Sequence, residues 1–331
     1  MTGKIGVAFS GGLNASELVD CATLAEERGY ESVWVAEGHG GDQFAVLSAC
    51  AMRTKRVRLG TAISSVFVRT APTIAMAAAT LDELSHHRFV LGLGSSHKVQ
   101  VEPEHGLVYE KPIQRMRETI TFIRELLHHG EAGIDGEVLR IERFDLWFKP
   151  SRPEIPIYAS AVFPKMTEVC GEIADGIILT RSAIGTAERV RHHLNVGAAV
   201  AGRNAENLEI TSLMPCAVAD ERSEAYAAIR PGLAFYAGFF PRYNRLIADH
   251  GFEDEANAIR AAWVAGDKAG AERAVTDRVI AGTSVAGTPS DCRERIEAYR
   301  DSGIDLPIIS PFARTGDVKK TFADAIRACC G

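Results

Sequence analysis

The sequence predicts an α/β fold, a (β/α)₈ (TIM) barrel with a helical insertion after its seventh strand. Short apolar, β-branched segments alternate with longer helical segments along almost the whole chain, as in proteins with a parallel sheet. The strand segments are continuous apolar runs, which is typical of strands buried on both faces. Eight strand–helix units in 331 residues favour a closed barrel over an open Rossmann-like sheet. Gly11-Gly12 after the first strand also lacks the G-x-G-x-x-G pattern of such a sheet.

The first half of the chain supplies four strand–helix units. Asn14 or Ser16 can cap the first helix, and Asp42 can cap the second. Pro72 suits the first turn of the third helix because its φ is already helical. The fourth helix is a long amphipathic segment. The predicted strands cover residues 4–9, 32–36, 57–64 and 88–93, and the helices after them end near residues 28, 53, 86 and 128.

The second half continues this alternation after an irregular excursion at residues 130–150, which the pattern indicates as a hairpin. Residues 222–283 are predicted to be wholly helical and carry aromatic residues at 235, 236, 239, 240 and 243. Those rings fit a core, a dimer surface or a pocket lid. We expect one domain over residues 1–331, with 222–283 as the insertion. The remaining strands are predicted at 155–161, 176–180, 208–218 and 306–310, and the helices at 164–173, 186–201, 289–302 and 317–328.

The composition indicates a soluble, cytoplasmic globular protein. Lys and Arg number 37 against 43 Asp and Glu, a net charge of −6, and no basic stripe follows a phosphate backbone, which argues against nucleic acid as the main partner. No apolar run reaches the 18 residues of a membrane span. The apolar run among the first residues is too short for a signal peptide. The seven cysteines are odd in number and form no C-x-x-C pair, so we expect reduced thiols.

In a barrel of this kind the active site forms from the loops that follow the strands. Glu37 is the only carboxylate directly after a predicted strand, and the sequence has neither a Ser-His-Asp spacing nor an H-E-x-x-H motif. Adjacent histidines such as His86-His87 diverge on a helix, so no metal site is expected. A mouth so poor in nucleophiles and metal ligands suits an organic cofactor that brings its own reactivity.

Three segments resemble the bacterial luciferase-like superfamily. They are GYESVWVAEGH, VRLGTAISSVFVRTAPTIAMAAATLDELSHHRFVLGLGSS and PIYASAVFPKMTEVCGEIADGIILT. Within the superfamily they are most similar to the branch that uses the 8-hydroxy-5-deazaflavin coenzyme F-420. That branch includes methylenetetrahydromethanopterin reductase and F-420-dependent glucose-6-phosphate dehydrogenase. The resemblance covers residues 1–180 and the later segment GTPSDCRERIEAYRDSGIDLPII, and it is weak at 222–283.

The resemblance implies that a cofactor ring lies over the third strand, where family members carry a non-prolyl cis peptide bond. The matching bond is Ala62–Ile63, flanked by Thr61 and Ser64. The resemblance further implies that the phosphate of the cofactor tail binds after the fourth, fifth and sixth strands. Glycine there allows close approach of the backbone, amides and hydroxyls donate, and arginine adds charge. The residues implied for the phosphate are Gly94, Ser95, Ser96, Ser160, Ala161, Val162, Thr180 and Arg181.

The loop after the second strand departs from the family pattern. Deazaflavin enzymes usually have an acidic residue followed directly by His, whereas here Glu37 is followed by Gly38 and only then by His39. His39 is either a proton donor shifted by the glycine or a surface histidine. Glu37 either contacts the deazaflavin ring or is paired at the rim. After the fourth strand, where family members often have Glu, His97 is a second acid/base candidate, since imidazole suits proton transfer at neutral pH.

The expected function is that of an F-420-dependent oxidoreductase. Hydride would pass between C5 of the deazaflavin and a small organic substrate, while the protein supplies orientation and one proton from Glu37, His39 or His97. Two alternatives stay open, an FMN-dependent monooxygenase of the luciferase type and a flavin-binding protein without activity. Family members are often homodimers, so a homodimer is expected.

Overall fold

The computed structural model describes residues 3–313 and 316–330, and this part of the chain contains twelve strands and fourteen helices. The strands are β1 (Gly6–Phe9), β2 (Ser32–Val35), β3 (Arg58–Thr61), β4 (Ser64–Ser65), β5 (Phe89–Gly94), β6 (Glu131–Asp135), β7 (Arg140–Asp145), β8 (Ile157–Ser160), β9 (Gly176–Thr180), β10 (Glu209–Val218), β11 (Val285–Gly287) and β12 (Leu306–Pro311). The helices are α1 (Ala15–Glu27), α2 (Gln43–Arg53), α3 (Ala71–Leu84), α4 (Lys98–His105), α5 (Pro112–His129), α6 (Pro164–Ile173), α7 (Thr186–Val200), α8 (Arg222–Phe239), α9 (Pro241–Asp249), α10 (Glu253–Val264), α11 (Lys268–Ala274), α12 (Asp277–Thr283), α13 (Pro289–Asp301) and α14 (Val318–Cys329).

Eight of the strands close into a parallel barrel, which confirms the predicted fold class. In order around the barrel they are β1, β2, β3, β5, β8, β9, β10 and β12, and β12 pairs with β1 again. Large apolar side chains fill the inside, among them Trp34 and Tyr158, whose rings lie 6.0 Å apart. At the end where the strands begin, Arg58 binds Glu209, which also accepts a hydrogen bond from Tyr158. This end is therefore occupied by a closed polar cluster, and the opposite end is left for a ligand.

Three details of the predicted elements were wrong. The third strand does not run unbroken over residues 57–64, because Ala62 and Ile63 separate β3 from β4. Residues 98–105, for which no helix was predicted, form α4; its internal Pro103 concealed it, since proline is unfavourable inside a helix. The short strand β11 was not predicted. It has three residues and pairs with the end of β10.

The predicted hairpin at residues 130–150 is confirmed as the antiparallel pair β6 and β7. A buried carboxylate helps to fix it to the barrel. The buried Glu118 of α5 accepts hydrogen bonds from the backbone N–H groups of Glu137, Val138 and Leu139 at 2.7, 3.0 and 2.7 Å. These groups would otherwise lack partners in the tight turn, so the side chain replaces the water that an exposed turn would bind.

The predicted insertion is present as α8 to α12, which follow β10 and have a core of their own. Ile229, Leu233, Phe252 and Ile259 belong to this core. A second, aromatic cluster of Phe240, Tyr243 and Leu246 packs against Val162 in the loop after β8. The insertion therefore covers the barrel mouth on the side of β8 and β9.

All seven cysteines are free thiols. Within the described residues, no helix is long and apolar enough to cross a membrane.

Candidate functional site

The site candidates lie in the loops at the carboxyl ends of the barrel strands. Residues Glu37 to His39 follow β2, Ala62 and Ile63 lie between β3 and β4, and Ser95 to His97 follow β5. Ser160 to Val162 and Thr180 to Arg181 end β8 and β9 or follow them. Because the strands are parallel and neighbours in the barrel, the fold brings these segments to the same end of the barrel.

The peptide bond between Ala62 and Ile63 is cis, as the resemblance implied. The N–H of Ala62 donates to the carbonyl of Val35 at 2.8 Å, and the N–H of Glu37 donates to the carbonyl of Ile63 at 3.4 Å. The side chains of both residues are partly exposed and pack on the cluster inside the barrel. They form a small apolar floor at the mouth, which we call the β3 floor.

Two glycines in β5 allow the β3 floor to lie close to β5. A Cβ on Gly92 would lie 1.8 Å from the carbonyl oxygen of Thr61, and one on Gly94 would lie 2.4 Å from Ile63 Cγ1. Thr61 Oγ1 also donates to the carbonyl of Gly92 and accepts from its N–H, both at 2.8 Å. The β3 floor is therefore held close to β5 by contacts that leave no room for a side chain at Gly92 or Gly94.

Glu37 is half-buried and already has partners. One oxygen accepts the N–H of Ser65 at 2.7 Å and the other binds the guanidinium of Arg69. Arg69 binds Asp42, the N-cap of α2, with another nitrogen. Glu37 therefore lies beside the β3 floor as a carboxylate that is paired at the rim and oriented by a cation.

His39 lies at the surface. Its side chain is 75% exposed, and Nε2 is 3.1 Å from Oε2 of Glu104 at the end of α4. The pair links the loop after β2 to the helix that the sequence did not predict.

His97 is mostly enclosed by rings of the insertion. Its imidazole centroid lies 4.8 Å from that of Phe240 and 5.1 Å from that of Tyr243. Burial, together with the nearby positive charge of Arg242, lowers the pKa of His97 to about 4. The side chain is therefore a neutral hydrogen-bonding group at neutral pH.

The loop after β5 is also tied to the insertion. Tyr109 donates its hydroxyl towards Ser95 Oγ at 3.3 Å and accepts a hydrogen bond from Arg242 at 3.0 Å. Ser96 has φ of 51°, a conformation that residues other than glycine adopt only in a minority of cases. Ser95 and Ser96 are not the caps of α4, since its N-cap is His97.

The segments after β8 and β9 line a cavity of about 140 Å³. Ala161, Val162 and Thr180 are on its wall, and α6, α7 and α9 supply most of the rest. Thr180 also contacts Tyr243, and burial raises the pKa of Tyr243 to about 12. The structure thus brings together two of the three segments that were predicted to bind a phosphate.

Arg181 follows Thr180 with φ of 53°, again in the left-handed region. Its guanidinium carbon lies 3.5 Å from the ring centroid of Tyr236 and 6.0 Å from that of Tyr243. Cations are attracted to the faces of aromatic rings. Arg181 makes no ion pair with a carboxylate within residues 3–313 and 316–330, so its charge is available to an anion.

Sequence reasoning missed four arginines near the mouth. Arg69 comes four residues after β4, Arg189 lies on α7, and Arg242 and Arg245 lie on α9. Only Arg69 had a local signal, since it closes a strand-to-helix loop. The other three depend on how the insertion and α7 approach the mouth, which no local pattern specifies.

Comparison with known proteins identifies the family of this chain. The model of the luciferase-like monooxygenase family matches residues 2–306. This chain belongs to that family. It is 31% identical over 307 residues to a 5,10-methylenetetrahydromethanopterin reductase of Archaeoglobus fulgidus, with 91% of each chain covered. It is 29% identical over 303 residues to an F420-dependent glucose-6-phosphate dehydrogenase of Nakamurella multipartita, covering 87% of this chain and 84% of that protein.

A solved structure supports the fold. The coenzyme F420-dependent tetrahydromethanopterin reductase of Methanopyrus kandleri superposes with a TM-score of 0.85 at 21% identity, covering 100% of this chain and 98% of the other. The resemblance to the deazaflavin-using branch of the family, drawn above from three sequence segments, is confirmed by these relatives.

Proposed function

We propose that this protein is an F-420-dependent oxidoreductase that transfers hydride between C5 of the deazaflavin and a small organic substrate. The observation that carries the proposal is the β3 floor, because the apolar side chains of Ala62 and Ile63 lie partly exposed at the mouth of the barrel. The relatives named for F420-dependent activities support the choice of cofactor. The bound deazaflavin supplies the carbon that accepts or gives the hydride.

The residues at the mouth fit this cofactor. Ala62 and Ile63 offer a flat apolar surface for a ring, because they are partly exposed above a packed interior. Hydroxyls of Ser96, Ser160 and Thr180 are at the ends of neighbouring strands, and that of Thr180 also contacts Tyr243 of the insertion. Backbone amides, hydroxyls and an arginine together form a phosphate site of the kind that barrel loops often provide.

His97 is the side chain that we propose for the polar contact to the substrate. It is neutral at pH 7 and lies beside aromatic rings, where an apolar substrate would exclude water. A neutral imidazole can hold or exchange a proton with a substrate oxygen through either ring nitrogen. Glu37 would contact the polar edge of the ring, since Arg69 and Ser65 hold its carboxylate beside the β3 floor. His39 could take part only if its loop moved from the surface.

A binding titration of the purified protein tests the proposal. We expect F-420 to bind at least tenfold more tightly than FMN, a difference of about 1.4 kcal/mol, as measured by fluorescence quenching or calorimetry. That result would justify a screen of alcohol and carbonyl substrates. A preference for FMN would instead favour the monooxygenase, and binding without any turnover would favour the flavin-binding protein. Binding of neither cofactor would overturn the proposal. The homodimer and the cytoplasmic location remain predictions.

A further inference from the structure

The cavity beside β8 and β9 extends outward from the mouth. Its inner wall includes Ala161, Val162 and Thr180, which were predicted to bind the cofactor phosphate. Its outer wall is formed by α7, with Arg189 and His193, and by α9, with Arg245 and Asp249. A chain attached to a phosphate on the inner wall would therefore pass next to the side chains on the outer wall.

The charges on the outer wall leave one cation in excess. Arg245 is 3.6 Å from Asp249, four residues further along α9, and its guanidinium carbon lies 4.9 Å from the ring centroid of Phe163. His193 is paired with Glu168 at 3.0 Å. Arg189, by contrast, has no hydrogen bond or ion pair with any residue that the structure describes. Burial of the neighbouring His250, together with the positive charge of Arg189, lowers the pKa of His250 to about 4.

Most hydroxyl groups on the wall already donate hydrogen bonds within the protein. Thr167 Oγ1 donates to the carbonyl of Phe163 at 3.1 Å, and Thr186 Oγ1 donates to that of Ala183 at 2.6 Å. Since these protons are used within the fold, the guanidinium groups are the main donors left to a ligand. Guanidinium groups match carboxylates and phosphates in geometry as well as in charge.

We infer that this cavity binds the carboxylates of the chain that extends beyond the cofactor phosphate, with Arg189 and Arg245 as the binding residues. The inference rests on the proposed function. In F-420 the phosphate carries a lactyl group and then one or more glutamates, so the coenzyme brings a series of carboxylates, whereas FMN ends at its phosphate. The outer wall thus favours the longer coenzyme, and because Arg245 belongs to the insertion, the tail would contact both the barrel and the insertion.

The test compares three probes that share one ring. They are 8-hydroxy-5-deazariboflavin without phosphate, the phospholactyl form without glutamate, and F-420 with several glutamates. We expect the wild-type dissociation constant to fall from each probe to the next, and to fall roughly fivefold on addition of the glutamates, which is the scale of one or two exposed ion pairs. This last gain should shrink as potassium chloride is raised, because salt screens exposed charges.

Variants locate the effect. In Arg189→Gln and Arg245→Gln the gain from the glutamates should fall to less than about twofold, while binding of the ring alone stays unchanged. Arg140→Gln is the matched control, because Arg140 is a 78% exposed arginine on the hairpin β6–β7. Equal affinity for the two phosphate-bearing probes, or a gain that both variants retain, would overturn the inference and leave the proposed function intact. Failure of all three probes to bind would refute both.

Discussion

The two sides of the barrel mouth are built from different chemistry. On the side of β2 and β3 the charged groups satisfy one another, since Arg69 holds both Glu37 and Asp42. On the side of β5, β8 and β9, aromatic rings of the insertion surround a neutral histidine and the guanidinium of Arg181. Arg181, Arg189 and Arg242 have no carboxylate partner in the described ranges 3–313 and 316–330. We call these the paired side and the aromatic side.

The contrast suggests how a cofactor would be oriented. A paired side offers little free charge, so it suits a polar but uncharged ring edge beside the β3 floor. The aromatic side has cations without carboxylate partners, so an anionic tail is attracted towards it. The orientation of the cofactor in the mouth would then depend on which charged side chains already have partners, as well as on where the charged side chains lie.

The largest expected effect concerns His97, the mostly enclosed histidine on the aromatic side. Its pKa is lowered to about 4 in the folded protein, so the unfolded chain takes up the proton first as the pH falls below about 6.5. The free energy of unfolding should therefore decrease through His97 by about 3 kcal/mol between pH 6.5 and pH 4. Urea unfolding at several pH values should find a shallower loss in His97→Gln than in the wild type.

The control for that experiment is His39→Gln on the paired side. His39 lies at the surface, where its side chain is 75% exposed and pairs with Glu104, so this variant should differ from the wild type much less than His97→Gln does. If His97→Gln and His39→Gln behave alike, His97 is not enclosed as described, and the distinction between the two sides fails there.

A smaller effect is expected from Arg69 on the paired side. Arg69→Met leaves the half-buried Glu37 without its cation and should lower the free energy of unfolding by about 2 kcal/mol. Arg143→Met is the matched control, because Arg143 also bridges two carboxylates, Glu131 and Asp145, but on the exposed hairpin. There the loss should be much smaller, because ion pairs in full contact with solvent contribute little to stability. Equal losses in urea unfolding would mean that the paired side is an ordinary surface network.

The smallest effect concerns the contact of Arg181 with Tyr236. A double-mutant cycle with Arg181→Met and Tyr236→Leu should give a coupling free energy of about 1 kcal/mol, the usual size of a partly desolvated cation–π contact. Phe239→Leu in place of Tyr236→Leu should give a coupling near zero, since Phe239 stacks on Phe235 at 5.5 Å and not on the arginine. Coupling of the same size for both rings would indicate a general packing effect.

The fold could be predicted because its signals are local. Apolar runs, caps and their alternation specify each unit in turn, and eight units imply closure. The position of the cis bond could be predicted from the segment VRLGTAISS alone, by resemblance. The break between β3 and β4 could not, because an apolar run does not indicate where strand pairing is interrupted.

The partners of the candidate residues were beyond reach of the sequence. Glu37 is neutralised by Arg69, which comes from the loop after a different strand. The surroundings of His97 come from Phe240 and Tyr243, in the segment with the weakest family resemblance. Whether a carboxylate or an imidazole is free or occupied depends on such distant contacts, so residue type and loop position suggest a role but not a charge state.

The contact between Gly92 and Thr61 has a consequence for reading genetic variation in this protein. A side chain at position 92 would meet a backbone oxygen 1.8 Å away, so the displaced segment would be the one that carries Ala62 and Ile63. A saturation-mutagenesis screen for activity would therefore score Gly92 among the least tolerant positions. In such a screen, a position that is intolerant because of the spacing between two strands would look the same as a position that contacts a ligand. Only binding measurements on the intolerant variants would distinguish the two causes.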